Sequence, residues 1–292
     1  MVKTATRRRP RTGKRRHWFA HALLGGTSAL LLLPIVFTFF YSFFPKSEME
    51  AYLNLRGHFE ETWLPILISP KLFSLRQYYT LLIEDPTILQ LFLNSVFYGV
   101  AILLGQMVFV PSMAYALSRF RFKGREGLFF IIMAMMLMPF QVTQVPNVIT
   151  LRLLGLVNTR WAVILPMWFA PFYIFLLRQF MVAIPGEMFE AGMMDGAGAV
   201  RAYFHVLLPV CRPVLGAALA LSFADSWNMV EQPLVYLQNM ADQPLSVMFN
   251  QLTESNKDIA FAGAALYIVP MLVMYFYFQE DILLGVQLSE LK

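Results

Sequence analysis

FLNSVFYGVAILLGQMVFVPSMAYAL, residues 92–117, carries no charged side chain from one end to the other. A bilayer's hydrocarbon core is about 30 Å thick and takes about 20 residues of helix to cross. The stretch therefore reads as a membrane span. Five others qualify by length and apolarity: 18–44 with Pro34 inside, 127–148 with Pro139, 161–180, 214–237 and 259–278. Helices are the natural form, because a barrel would show shorter segments that alternate polar and apolar residues. Composition agrees. Of 292 residues, 58% are hydrophobic and 14% charged, with 27 Phe and 18 Met. A soluble domain is nearer half apolar and a quarter charged, and a chain of this length has no soluble core large enough for the excess. The expected fold is an all-α membrane protein with six transmembrane helices.

Charge placement sets the expected topology. The net charge of +5 is concentrated in a basic tail holding Lys3, Arg7, Arg8, Arg9, Arg11, Lys14, Arg15 and Arg16. A nucleic-acid role suits such a tail in isolation. An apolar run follows at once, however, so a cytoplasmic flank in contact with anionic lipid is the better reading. The apolar run is too long for a cleaved signal peptide and lacks a small-x-small site. Arg119, Arg121, Lys123, Arg125, Arg178, Arg201, Arg212 and Lys292 fall on the same side as the tail. Lys46, Arg56, Lys71, Arg76, Arg152, Arg160 and Lys257 fall on the other. The excess places both termini in the cytoplasm.

Catalytic and metal chemistry find little support. The single cysteine, Cys211, lies in an apolar stretch and reads as a small hydrophobe. His17, His21, His58 and His205 are scattered, with no metal-ligand spacing. No Gly-x-x-x-x-Gly-Lys-Ser/Thr loop is present to cradle ATP.

The segment between the fourth and fifth spans is different in kind. Pro185 suits a first helical turn, and Glu187 and Glu190 sit where the helix dipole favours negative charge. Met188, Ala191, Gly192 and Asp195 share a face by their i, i+3, i+4, i+7 spacing. Gly196 and Gly198 permit a turn, and a second short helix is expected over 200–207. Pro209 and Pro213 then mark the entry to span five. A plain amphipathic connector on the lipid surface would carry several cations and large apolar anchors. This segment opens acidic and is rich in small residues, which suits close approach to another protein.

Its pattern resembles the importer-type ABC permeases, whose signature reads Glu-Ala-Ala, three residues, Gly, nine residues, Ile-x-Leu-Pro. Here Glu190-Ala191-Gly192 is followed by three residues and Gly196, then nine more lead to Val206-Leu207-Leu208-Pro209. Gly192 replaces Ala and Val206 replaces Ile. Asn94-Ser95, the run Ala114 to Gly124, Met138-Pro139, Gln144-Val145-Pro146, Leu154 to Thr159 and Trp227-Asn228 are similar to the carbohydrate-uptake branch, and to its second (maltose-type) permease in particular. The C-terminus, Gly285 to Lys292, departs from the Gly-rich tail of many relatives.

The resemblance implies a non-catalytic subunit in the cytoplasmic membrane of a bacterium. It would form half of a translocation path with a second, related permease, and receive solute from an extracytoplasmic binding protein. No cofactor belongs to this chain: ATP is bound by a partner subunit, on which a coupling helix docks. Glu187, Glu190, Ala191, Gly192, Asp195, Gly196, Leu208 and Pro209 are the implied docking residues. Glu190 is expected to pair with a basic group in the partner, with Met188, Met193 and Met194 packing beside it. The chain then divides into a cytoplasmic tail 1–17, span 18–44, an extracytoplasmic segment 45–91 (a small cap with some helix, or a loose loop), a permease domain 92–280 with coupling loop 181–213, and a cytoplasmic tail 281–292.

Span five holds an unusual set of polar residues. Ser222, Asp225, Asn228 and Gln232 fall on one helical stripe, with Trp227 beside it. An acid in a span costs about 2.5–3.5 kcal/mol on insertion scales, so it faces water or protein. The stripe reads either as a wall of the solute path, with Trp227 stacking on sugar, or as polar glue between helices. Gln141, Thr143 and Gln144 are candidates for an outer gate. Two other classes stay open: a permease for an oligopeptide or polyamine, and an ion-coupled secondary transporter. The latter would show charged relays in paired spans.

Overall fold

A computed structural model describes residues 13–49, 72–84, 86–187, 198–249 and 257–290. Within these the chain is helical, with no strand. It divides into two compact units: Met1–Tyr79 with Lys257–Ala265, and Thr80–Asn256 with Leu266–Lys292.

The first unit is dominated by helix α1, Gly13–Tyr41. No residue of its apolar window Ala20–Tyr41 is buried. A helix whose neighbours are lipid needs no inward face. The chain after α1 is fastened by its own aromatic and polar groups. Tyr41 packs on Phe44 and Phe261 at 5.0 and 5.2 Å. Tyr78 donates to Ser42 Oγ at 2.7 Å, and Gln77 donates to the Phe44 carbonyl. These contacts set the start of α2, which is α-helical over Arg76–Tyr79 and continues as a π-turn over Thr80–Glu84. The expected segment 45–91 thus carries helix at its C-terminal end, and residues 50–71 lie outside the described residues.

In the second unit, α3 (Pro86–Arg119) is the central helix. Its buried residues recur at Leu91, Ser95, Tyr98, Ile102, Gln106, Val110 and Leu117. It packs against α6 (Trp161–Trp168), α7 (Pro171–Ala183) and α8 (Ala199–Trp227). Around its Arg119 end lies a core of Val110, Ala114, Leu117, Ile174, Leu177, Met181, Leu207, Cys211 and Ala218. At the other end Tyr98, Ile102, Ala162, Val163, Ile164 and Tyr236 form a second cluster. Two glycines of α3 mark close approaches to its neighbours. A Cβ on Gly105 would overlap the Trp168 indole, and one on Gly99 would press on Phe223 at 3.2 Å.

Three of the expected spans are built differently from a single straight rod. The third is two helices, α4 (Arg125–Met136) and α5 (Phe140–Leu153), bent by 110°. Pro139 does more than kink it. Its extended backbone (φ −66°, ψ 146°) follows two tight i→i+3 bonds, from Leu137 N and Met138 N, that close α4. The fourth breaks at Phe169–Ala170, between α6 and α7, where Pro171 opens the second piece. The fifth starts earlier and ends sooner than hydropathy suggested. No separate short helix stands at 200–207: Ala199–Ala202 runs through a π-turn, Tyr203–Leu207, directly into Leu208–Trp227. Pro209 and Pro213 remove the donors for the carbonyls four residues back. The wider π-turn takes up that offset without stopping the helix. After Trp227 the chain leaves the helix and forms α9, Glu231–Tyr236. The last helix, α10, spans Lys257–Glu290. Among the described residues, and taking α6–α7 as one span, five helical stretches are long and apolar enough to cross a membrane, and the bent pair α4–α5 makes up to six.

Replacing Gly105 by Ala should destabilise the second unit by about 1–3 kcal/mol, since the added methyl has no room beside Trp168. Gly127→Ala, where nothing lies within 4 Å, is the control. Thermal midpoints in detergent check this: a lowered midpoint for the first variant alone is expected, and equal midpoints would contradict the packing.

Candidate functional site

Ile184 and Ala199 flank the central part of the segment expected to dock. Residues 188–197 fall outside the described residues, and with them Glu190, Ala191, Gly192, Asp195, Gly196, Met188, Met193 and Met194. What is described is the frame that holds the two ends. Arg119 Nη2 donates to the carbonyls of Met181 at 2.8 Å and Ile184 at 3.0 Å. These lie at the C-terminus of α7, where the last four carbonyls of a helix have no internal donor. Tyr115 OH donates to the Ala199 carbonyl at 3.0 Å, in the first turn of α8. The Tyr115 ring is wedged between Tyr203 (5.0 Å) and Phe120 (5.1 Å). Beside this frame the Arg178 guanidinium lies 4.0 Å over the Phe129 ring, with Glu126 at 3.5 Å. Glu187 and Pro209 are exposed and Leu208 is half-buried.

Deeper in the bundle a polar knot joins three helices. Pro171 has no N–H, so the Met167 carbonyl, four residues earlier, loses its helical donor. Gln106 Nε2 supplies one at 2.7 Å. Ser222 in turn donates to Gln106 Oε1. Trp168 Nε1 donates to the Ala101 carbonyl at 3.0 Å, closing the same break from the other side. Ser222 is thus buried (2 % exposed) and fully engaged as glue between α3, α6 and α8.

The remaining residues of the expected stripe are dispersed. Asp225 is exposed and accepts from Tyr173 OH at 2.6 Å. Asn228 is exposed too, at the end of α8. Its Oδ1 accepts from Tyr267 OH at 3.0 Å. Gln232 lies on α9, because the helix that would have aligned it ends at Trp227. Trp227 is completely buried (0 % exposed). Phe223 stacks on its ring at 5.4 Å, and Phe92 and Tyr267 pack against it at 5.8 and 5.3 Å. Its Nε1 donates to the Tyr267 carbonyl at 3.1 Å. Neither ring face is open, so a stacking platform for sugar is not what this indole provides here. Among Gln141, Thr143 and Gln144, the first donates to Glu231 at 3.0 Å, linking α5 to α9.

The far end of α3 carries a second set of polar ties that sequence reasoning missed. Asn94 Nδ2 donates to the carbonyls of Ala241 (2.8 Å) and Gln243 (3.1 Å), Tyr98 OH to that of Asp242 (2.8 Å), and Leu245 N to Ser95 Oγ (2.8 Å). Arg160 bridges Asn94 Oδ1 and Asp242 Oδ1 at 3.1 and 3.2 Å. Asn158, at φ 63°, donates its N–H to the Tyr236 carbonyl and accepts from Gln238 N. Loop 237–245 is thereby held against α3 and the loop before α6. Only the pairing of uncharged polar residues in otherwise apolar helix ends hinted at it. Among the described residues no group of three His, Cys, Asp or Glu side chains is placed to hold a metal ion.

Residues 107–280 match a family described as the binding-protein-dependent transport system inner membrane component. The chain is 33% identical to the diacetylchitobiose uptake system permease protein NgcG of Streptomyces coelicolor, over 90% of this chain and 85% of that one. It is 30% identical to protein LplC of Bacillus subtilis, over 92% of each. It is 29% identical to the arabinooligosaccharides transport system permease protein AraQ of Halalkalibacterium halodurans, over 91% and 96%. Its fold is similar, at a TM-score of 0.77 and 23% identity, to a chain in the crystal structure of a bacterial ABC transporter involved in the import of the acidic polysaccharide alginate. That match covers 94% of this chain and 99% of the other.

Gln106→Leu should strand the Met167 carbonyl and cost about 1–2 kcal/mol, the range of a lost interhelical hydrogen bond in a membrane protein. Ser222→Ala, which removes the hydroxyl that orients the Gln106 amide, should add little to that loss. Thermal unfolding in detergent of the two single variants and the double would show this, and strictly additive losses would contradict it.

Proposed function

Because the chain belongs to the family of inner-membrane components of binding-protein-dependent transport systems, permease subunits of ABC importers, we propose that its cargo is an oligosaccharide. Relatives named for diacetylchitobiose and arabinooligosaccharides, each aligned over nearly the whole chain, support this reading most directly. On the same reading the chain is half of the path. A second, related permease forms the other half, an extracytoplasmic binding protein delivers solute, and ATP-hydrolysing subunits drive the cycle. Both termini and the 185–209 segment lie in the cytoplasm, where that segment docks on an ATPase subunit through Glu187, Glu190, Ala191, Gly192, Asp195, Gly196, Leu208 and Pro209. ATP binding by the partner is the energy source, and this chain carries no cofactor.

Asp225 and Asn228 form the pathway side of this reading. Both are exposed, Asp225 on a membrane helix and Asn228 just past its end, and an ionised carboxylate is costly against lipid. A wet path shared with the second permease is the environment that suits them. There they offer acceptors and an amide to sugar hydroxyls. Ser222, Trp227 and Gln232 support that surface from behind or beside it.

Uptake into proteoliposomes holding the complete importer tests the cargo. ATP-dependent entry of a neutral oligosaccharide, with no entry of an oligopeptide or polyamine, is expected; the reverse pattern would overturn the sugar reading. Asp225→Ala and Asn228→Ala should each slow oligosaccharide uptake about tenfold, the scale of a lost hydrogen bond to a charged or well-placed group, with the complex still assembled. Unchanged rates in both would remove these residues from the path.

A further inference from the structure

We infer that Arg119 and Tyr115 are positioning residues that clasp the docking segment to α3, one at its entry and one at the first turn of α8, so that α3 moves as one body with it. This rests on the docking role proposed for 185–209. Helices α7 and α8 are joined to the segment by the chain itself, and their coupling to it is automatic. Helix α3 lies more than sixty residues away in sequence and has only side chains to hold the segment with. Two of them do so from adjacent turns of one face, as i and i+4. The Arg119 guanidinium takes the carbonyls of Met181 and Ile184, where the chain enters the segment. The Tyr115 hydroxyl takes the carbonyl of Ala199, where α8 begins within the segment.

A cap for the end of α7 alone would need neither Tyr115 nor a donor from a different helix. The same helix reaches the other side of the bundle. Its 34 residues span about 51 Å, and its first turns hold loop 241–245 through Asn94, Ser95 and Tyr98. Midway, Gln106 ties it to the break between α6 and α7. The docking segment and that distant loop are therefore fastened to opposite ends of a single helix.

A clasp differs from simple structural support in what its loss does. Structural damage lowers assembly, and with it hydrolysis and uptake together. A broken clasp leaves the complex assembled and hydrolysing, but wastes turnovers. The experiment uses the complete importer in proteoliposomes with neutral oligosaccharide, reading uptake per ATP hydrolysed at matched assembly. The variants are Tyr115→Phe, Arg119→Lys, Arg119→Gln, and the double Tyr115→Phe/Arg119→Gln. Tyr115→Phe keeps the ring between Tyr203 and Phe120 and loses only the hydroxyl. The ratio should fall about threefold in Tyr115→Phe and about tenfold or more in Arg119→Gln and the double, as charge-assisted bonds are the stronger ones. Arg119→Lys, which keeps the charge without the planar fork, should recover part of the loss. A wild-type ratio in the double variant, or a parallel fall of hydrolysis and uptake, would overturn the clasp. If Arg119→Gln fails to assemble, Tyr115→Phe decides alone: a wild-type ratio there rejects it. Glu190→Ala is run beside these. If it too behaves as wild type, the docking reading is what has failed. If it uncouples while the double variant does not, the clasp alone is wrong.

Discussion

Inside a membrane a backbone carbonyl without a donor has no water to turn to. Pro171 creates such a carbonyl at Met167, in the middle of what hydropathy marks as one span. Gln106 answers it from α3, and Ser222 on α8 orients that amide by donating to its oxygen. Three helices are fixed in mutual register by one missing N–H. The tight seat of Trp168 over Gly105 follows from the same registration, since the indole must reach the Ala101 carbonyl to complete the break.

The rest of the second unit repeats this logic at other depths. Irregular points in α7, α8 and loop 237–245 meet side chains from α3: Arg119 at the end of α7, Tyr115 at the start of α8, Asn94 and Tyr98 beneath the loop. A helix that supplies donors along its whole length becomes the reference for the others. Apolar contact alone, between helices bathed in apolar solvent, would leave their register weakly specified.

The membrane class and the rough position of each span were legible because hydropathy over 20 residues is a bulk property. The breaks were not. A window averages across Phe169–Ala170 and across Pro139, and proline inside a membrane helix is often only a kink, as at Pro34 in α1. At Pro209 the error ran the other way: a proline pair read as a boundary is absorbed by a π-turn at 203–207. The polar residues of span five stayed between two readings for a related reason. Ser222 and Asp225 are three apart on one helix, yet one is buried against Gln106 and the other is exposed beside Tyr173. Which neighbour a side chain meets is set by tertiary packing, on which helical periodicity is silent. Trp227 illustrates the point: its apolar bulk placed it in the core, enclosed by Phe92, Phe223 and Tyr267. The signature at 190–209, by contrast, is contiguous in sequence, and its core falls outside the described residues.

An importer subunit needs a rigid scaffold, which the ties along α3 supply, and a segment through which another protein can move it, the role proposed for 185–209. The central claim is that 185–209 faces the cytoplasm and is covered there by an ATPase subunit. The most direct measurement is thiol labelling of Gly196→Cys, in a Cys211→Ala background, in vesicles of defined orientation. The account predicts labelling by an impermeant maleimide only from the cytoplasmic face, and protection when the ATPase subunits are bound. Labelling from the outer face, or equal labelling with and without those subunits, would contradict it.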